Sequence, residues 1–209
     1  MKLFLLSIIG AAAWSVAIAS SLAAETAIFP SLKGDLVAVQ GGKVKKFDEA
    51  ALAQTKYFAI YYSAEWCPPC RAFTPKLVSW YNANKKDNPH FELIFVSSDR
   101  TQEAMEKYLT GDAMPWPALA FARKKSNRTL TQYAGAGIPC LVLVDAAGKV
   151  LSDSYEGKTY VGPQKVLADI GTTLKANPAS AAAPPPAVSP TKSAGSGSFD
   201  DAFKKKPAQ

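Results

Sequence analysis

Tyr57-Phe58-Ala59-Ile60-Tyr61-Tyr62-Ser63, followed at once by Ala64-Glu65-Trp66-Cys67-Pro68-Pro69-Cys70-Arg71, is the stretch that decides the fold. Its first half is an apolar, β-prone run long enough for a central strand. Its second half opens a helix, because Pro68 and Pro69 fit the first helical positions, where a missing amide N–H costs nothing. Two cysteines three apart therefore stand at a strand-to-helix junction. The sulfur of Cys67 falls at the helix N-terminus, where unpaired amides and the macrodipole favour a thiolate. Cys70, one turn on, is in reach to close a ring. A disulfide oxidoreductase needs one thiolate to attack and a second thiol to resolve the mixed disulfide. Cys67 is read as the attacker and Cys70 as the resolving thiol, with Trp66 as a flat apolar contact for a substrate chain.

Two other readings of the pair stay open. One is half of a zinc site, but a closed site needs four ligands and only Cys140 and the single His90 remain, so no metal site is expected. The other is a structural disulfide, although closing so short a loop stabilises little. His90 is expected at the surface, in a polar turn. Cys140, at the start of an apolar run, reads either as a buried small hydrophobe or as a third redox thiol.

Outward from the motif, Leu36–Val39 and Val44–Phe47 flank Gly41-Gly42 as a β-hairpin, and Asp48 caps a short helix over residues 49–54. The helix after the cysteines runs from Pro68 to about Asn84, with a kink expected at Pro75. A second central strand covers Phe91–Ser97, and Thr101 caps a helix over residues 102–109. Met114-Pro115-Trp116-Pro117 must be loop. A short helix follows around Arg128–Tyr133. Ile138-Pro139 precedes the strand Cys140–Asp145, which turns at Gly148 into Val150–Asp153, and a closing helix begins at Pro163. This alternation predicts an α/β fold, a central mixed sheet with helices on both faces and an N-terminal β-hairpin extension. No internal repeat is visible.

The ends differ from the middle. Lys2, an uncharged apolar stretch from Leu3 to Ile18 and Ser21-Leu22-Ala23-Ala24 describe a secretory signal peptide over residues 1–23. The rival is an uncleaved membrane anchor. The expectation is an exported protein, periplasmic or secreted, with no stable membrane insertion after cleavage. Residues 24–176 form the domain. Residues 177–209, rich in Ala, Pro, Ser and Gly and ending in a Lys cluster, are expected to be a disordered tail. Three cysteines are too few for a disulfide-stapled scaffold. The net charge of +7 is spread among acidic residues, so no nucleic-acid surface is read from it.

These motifs resemble the thioredoxin superfamily: Trp66-Cys67-Pro68-Pro69-Cys70, Pro75 five residues on, and Ile138-Pro139 downstream. More narrowly, Tyr62 through Pro75, Val96-Ser97-Ser98-Asp99-Arg100 and Met114-Pro115-Trp116 are similar to the tryparedoxin and nucleoredoxin branch. The resemblance covers about Leu36 to Leu174. It implies a thioredoxin fold, Cys67 as nucleophile and Cys70 as resolving cysteine. It also implies that Pro139 is a cis proline whose flanking backbone, with Ile138, pairs with substrate as an added strand. Substrate contacts are expected at Trp66, Pro68, Pro69, Ile138 and Pro139. Partners implied are protein thiols or disulfides and an unidentified redox donor or acceptor, with no cofactor and a monomeric protein. Two positions depart from common thioredoxins: Tyr61 stands where many carry a buried acid, and Cys140 replaces the Thr or Ala after the proline. A non-catalytic thioredoxin-like binding module remains the alternative.

Overall fold

The computed structural model describes residues 27–179; the expected signal peptide and residues 180–209 of the expected tail lie outside them. The first elements are β1 (Leu36–Gln40) and β2 (Lys43–Lys46), joined through Gly41 and Gly42. Both glycines have positive φ, +62° and +74°, which a two-residue hairpin turn of this kind requires. Then come β3 (Tyr57–Ser63), α1 (Pro68–Asn84), β4 (Phe91–Ser97), α2 (Gln102–Gly111) and the two-residue β5 (Ala118–Leu119). The chain continues through α3 (Arg128–Thr131), β6 (Cys140–Asp145) and β7 (Val150–Asp153). A small hairpin, β8 (Tyr155–Glu156) and β9 (Thr159–Tyr160), precedes α4 (Pro163–Ala176).

Seven strands form one mixed sheet in the order β2-β1-β5-β4-β3-β6-β7. The interior strand β3 runs parallel to β4 and antiparallel to β6. Six of its seven residues are buried, as a strand covered on both faces must be. Side chains alternate between two cores. Ala59, Tyr61, Leu93, Phe95, Leu141 and Leu143 face Phe73 and Leu77 of α1, Met105 and Leu109 of α2, and Ile170 of α4. Phe58, Ile60, Ile94, Val96 and Val142 face the other way, onto Ile28, Leu32, Leu52 and Leu130. Each Val, Leu, Ile, Phe or Met among them contributes about 1.5–3 kcal/mol on burial. The three longer helices thus cover one face, and 3₁₀ turns with the short α3 cover the other.

Pro75 lies inside the continuous helix α1, as the sequence placed it. Two features differ from the sequence reading. His90 is buried, 6% exposed, because its carbonyl accepts from the Lys56 and Tyr57 amides and draws it into the sheet margin. Its ring meets Tyr57 edge-on at 5.9 Å. The β8–β9 hairpin and β5 were not anticipated; two-residue strands carry too little periodicity to stand out. No helix among the described residues is long and apolar enough to cross a membrane.

Candidate active site

Cys67 is the N-cap residue of α1, with extended backbone angles of −94° and 107°. Pro68 and Pro69 fill the next two positions, so the Cys70 amide is the first free to turn back, and it donates to Cys67 Sγ at 3.3 Å. The Arg71 amide donates to the Cys67 carbonyl rather than to the sulfur, at 3.1 Å. Cys67 and Cys70 are joined as a disulfide, their Cα atoms 5.2 Å apart. Cys70 is fully buried and Cys67 retains 3% exposure. Trp66, by contrast, is 56% exposed beside them.

The loop before β6 closes the site from the other side. The Ile138–Pro139 peptide is cis, and the Ile138 carbonyl oxygen lies 3.8 Å from Cys67 Sγ. Residues 71 apart in the sequence are brought together here because β3 and β6 are paired in the sheet, Tyr62 opposite Cys140. Trp66, Cys67, Cys70, Ile138 and Pro139 therefore gather at one end of β3 and β6, with Pro68 and Pro69 on the exposed first turn of α1.

Comparison with known proteins gives the same frame. A family model described as thioredoxin-like matches residues 54–150. The solved thioredoxin of Wuchereria bancrofti shares 32% identity at a TM-score of 0.51, covering 68% of this chain and 97% of its own. The chain belongs to the thioredoxin superfamily. Within it, the tryparedoxin and nucleoredoxin branch fits. Tryparedoxin I from Leishmania major matches at 28% identity and a TM-score of 0.51, over 70% of this chain and 93% of that one. Probable nucleoredoxin 1 of Arabidopsis thaliana is 44% identical over 97 residues, 46% of this chain and 16% of that protein. Human nucleoredoxin is 36% identical over 105 residues, 50% of this chain and 24% of that protein. The chain thus spans a quarter or less of these two curated relatives.

Where a common thioredoxin carries a buried acid, this thioredoxin-like domain builds a cluster of hydroxyls. Tyr61 Oη lies 2.8 Å from Thr74 Oγ1, and Ser63 Oγ lies 3.0 Å from Tyr108 Oη. Thr74 Oγ1 also bonds Tyr108 Oη and donates to the Cys70 carbonyl at 3.0 Å. Burial, reinforced by Tyr108, pushes the Tyr61 phenol far above its ordinary range. It stays neutral and cannot take a proton as a carboxylate would.

Cys140 is fully buried, and burial pushes its thiol up to about 11. At neutral pH it is a protonated, small apolar side chain, unlike an attacking thiolate.

Several supporting residues escaped the sequence reading. Buried Asp99 accepts from the Glu65 amide at 2.9 Å and from Ser97 Oγ at 2.8 Å, fixing the chain just before Trp66. Tyr160 donates its hydroxyl to the Pro139 carbonyl at 2.7 Å. A shallow charged pocket beside the motif is lined by Glu65, Arg71, Lys107, Tyr108 and Asp112. Glu65 pairs there with Lys107 at 2.9 Å, and that bond holds its carboxyl below the usual range. Burial raises the Asp112 carboxyl, against the pull of Arg71. Of these, Glu65 and Arg71 stand in the quoted stretch around the cysteines and Asp99 in Val96–Arg100, while Lys107, Tyr108, Asp112 and Tyr160 had no such signal. Among the described residues no group of three or more His, Cys, Asp or Glu side chains could hold a metal ion.

Proposed function

We propose that this protein is a thiol–disulfide oxidoreductase acting on protein disulfides or thiols. The observation that carries the reading is Cys67 Sγ at the positive end of a 17-residue helix, receiving the Cys70 amide and facing the Ile138 peptide. In the reducing direction, the Cys67 thiolate attacks a substrate disulfide and forms a mixed disulfide. The leaving sulfur of the substrate takes up a proton. The Cys70 thiol then gives up its proton and attacks Cys67 Sγ, releasing the second substrate thiol and closing Cys67–Cys70. Two electrons pass from the dithiol to the substrate, and an external thiol donor must reopen the ring. In the oxidising direction the same steps run backward.

Trp66, Pro68, Pro69, Ile138 and Pro139 form the surface that meets the substrate chain in this reading. The Ile138 backbone, which makes no backbone–backbone hydrogen bond among the described residues, offers it one strand-like pairing. Insulin reduction with dithiothreitol as donor tests the reading. Cys67→Ser should abolish turnover, and Cys70→Ser should accumulate a mixed disulfide with substrate. Equal activity of Cys67→Ser and the parent would remove Cys67 from the role.

The burial of both cysteines favours one rival, a binding module braced by an inert disulfide. A midpoint potential below roughly −300 mV, the range of structural disulfides, would select it. The apolar N-terminal stretch supports export of the protein, periplasmic in a Gram-negative bacterium. The N-terminal residue of the protein recovered from cells would decide: a start at Ala24 or Glu25 supports export with cleavage, and a start at Met1 or Lys2 opposes it.

A further inference from the structure

The loop that carries Ile138 has little of its own to hold it. Residues 134–137 are exposed and belong to no helix or strand. Among the described residues, no backbone–backbone hydrogen bond outside the regular elements involves residues 136–139. The Pro139 carbonyl nevertheless has a partner, the hydroxyl of Tyr160 at 2.7 Å. Tyr160 comes from the β8–β9 hairpin, 21 residues on, and keeps 48% of its surface exposed.

Tyr155, its cross-strand partner, completes the arrangement. The two rings lie 5.0 Å apart at 54°. The Tyr155 ring lies so close to Gly135 that a Cβ there would overlap it, and its hydroxyl sits 3.2 Å from where a Cβ of Gly137 would be. One tyrosine of the hairpin thus covers the loop, and the other ties its end. The hairpin's own Gly157, at a φ of +62°, makes the tight turn that sets both rings on one face.

We propose that Tyr160 is a positioning residue for substrate docking: its hydroxyl, set by the hairpin and by Tyr155, fixes the Pro139 carbonyl and so aims the Ile138 peptide at a polypeptide held against Cys67. The inference rests on the oxidoreductase reading above. A polypeptide substrate must align its backbone with Ile138, so it depends on that aim. A small disulfide needs only access to Cys67 and does not. The donor to Pro139 also occupies that carbonyl, so an incoming chain pairs with the Ile138 backbone rather than with Pro139.

The test uses the full chain and Tyr160→Phe, which keeps the ring and its packing on Tyr155. Three readouts separate the possibilities. The amide ¹⁵N order parameters of Gly137 and Ile138 should fall from about 0.85, the rigid range, toward about 0.6. KM for insulin should rise about fivefold, as expected for one hydrogen bond, with kcat changed less. The rate constant with 5,5′-dithiobis(2-nitrobenzoate) should stay within about twofold of the parent, because that probe forms no strand with the loop. Unchanged order parameters overturn the latch. Order parameters that fall with an unchanged insulin KM overturn the docking role, as does an equal loss with both substrates. A parent chain that reduces neither substrate defeats the oxidoreductase reading and the docking role with it, while the order parameters still decide the latch.

Discussion

Thr74 has one hydroxyl proton and three hydrogen-bond partners. If it donates to the Cys70 carbonyl, both its lone pairs can accept, one from Tyr61 and one from Tyr108, and Tyr108 in turn accepts from Ser63. Every group in the cluster is then satisfied away from water. Thr74→Val keeps the shape and removes the hub, leaving two phenols short of an acceptor. The cost should be on the order of 3 kcal/mol, beyond the ~1 kcal/mol of an ordinary bond, because the groups left behind are buried. Urea unfolding of the oxidised protein measures it, and a loss under about 1 kcal/mol would mean that the phenols find other partners. Thr74 bonds the Cys70 carbonyl four residues back, within its own helix. Nothing in the sequence placed Tyr108, which arrives from α2, 34 residues away.

Among the elements, α1 and the β8–β9 hairpin show opposite degrees of legibility. The start of α1 was plain because Cys67, Pro68 and Pro69 each suit one position of a helix N-terminus. The hairpin passed unread, although Tyr155-Glu156-Gly157-Lys158-Thr159-Tyr160 alternates large and polar residues around a glycine. Two residues per strand gave too short a signal. Its packing can be probed from the loop side. Gly135→Ala sets a methyl where the Tyr155 ring lies, so the ring must move. Overpacking of this kind costs about 1–3 kcal/mol. Thermal unfolding should register that loss, and the Tyr155 ring resonances should shift; a variant with parental stability and spectrum would place the ring elsewhere in solution.

Across the whole molecule, the sheet's two cores are rich in buried phenols. Burial holds the hydroxyls of Tyr61, Tyr62 and Tyr81 well above the ordinary tyrosine range. Tyr81 also donates to Glu92 at 2.6 Å, and Tyr62 to the Leu130 carbonyl. In the unfolded chain these groups ionise near pH 10, and in the folded chain they cannot. A raised folded-state value means stability that is complete below the unfolded value and lost as the pH rises above it. Cys140 adds to this from about pH 9, since its thiol is held up to about 11. The protein should therefore hold its stability from pH 7 to about 9 and lose it steeply above about 10. Denaturant midpoints across that range test this. Cys140→Ala should remove the earliest part of the fall, and a midpoint unchanged at pH 11 would contradict the burial of these groups.

The sequence by itself determined the order of the main elements and marked the cysteine pair. Short apolar runs rich in aromatic and β-branched residues, such as Tyr57–Ser63, suit central strands, and the Cys-Pro-Pro-Cys spacing sets both sulfurs within one helical turn. It also marked Pro139, through resemblance rather than through spacing. What the tertiary structure decided is everything that depends on chain segments meeting across the sheet. The pairing of β3 with β6 brings Ile138 to Cys67, and α2 carries Tyr108 to Thr74. The β8–β9 hairpin sets Tyr160 on Pro139, and the sheet margin buries His90. Local preference acts over a few residues, so it writes helices, strands and caps into the sequence. The partners of a side chain 20 to 70 residues away are fixed only when the core closes.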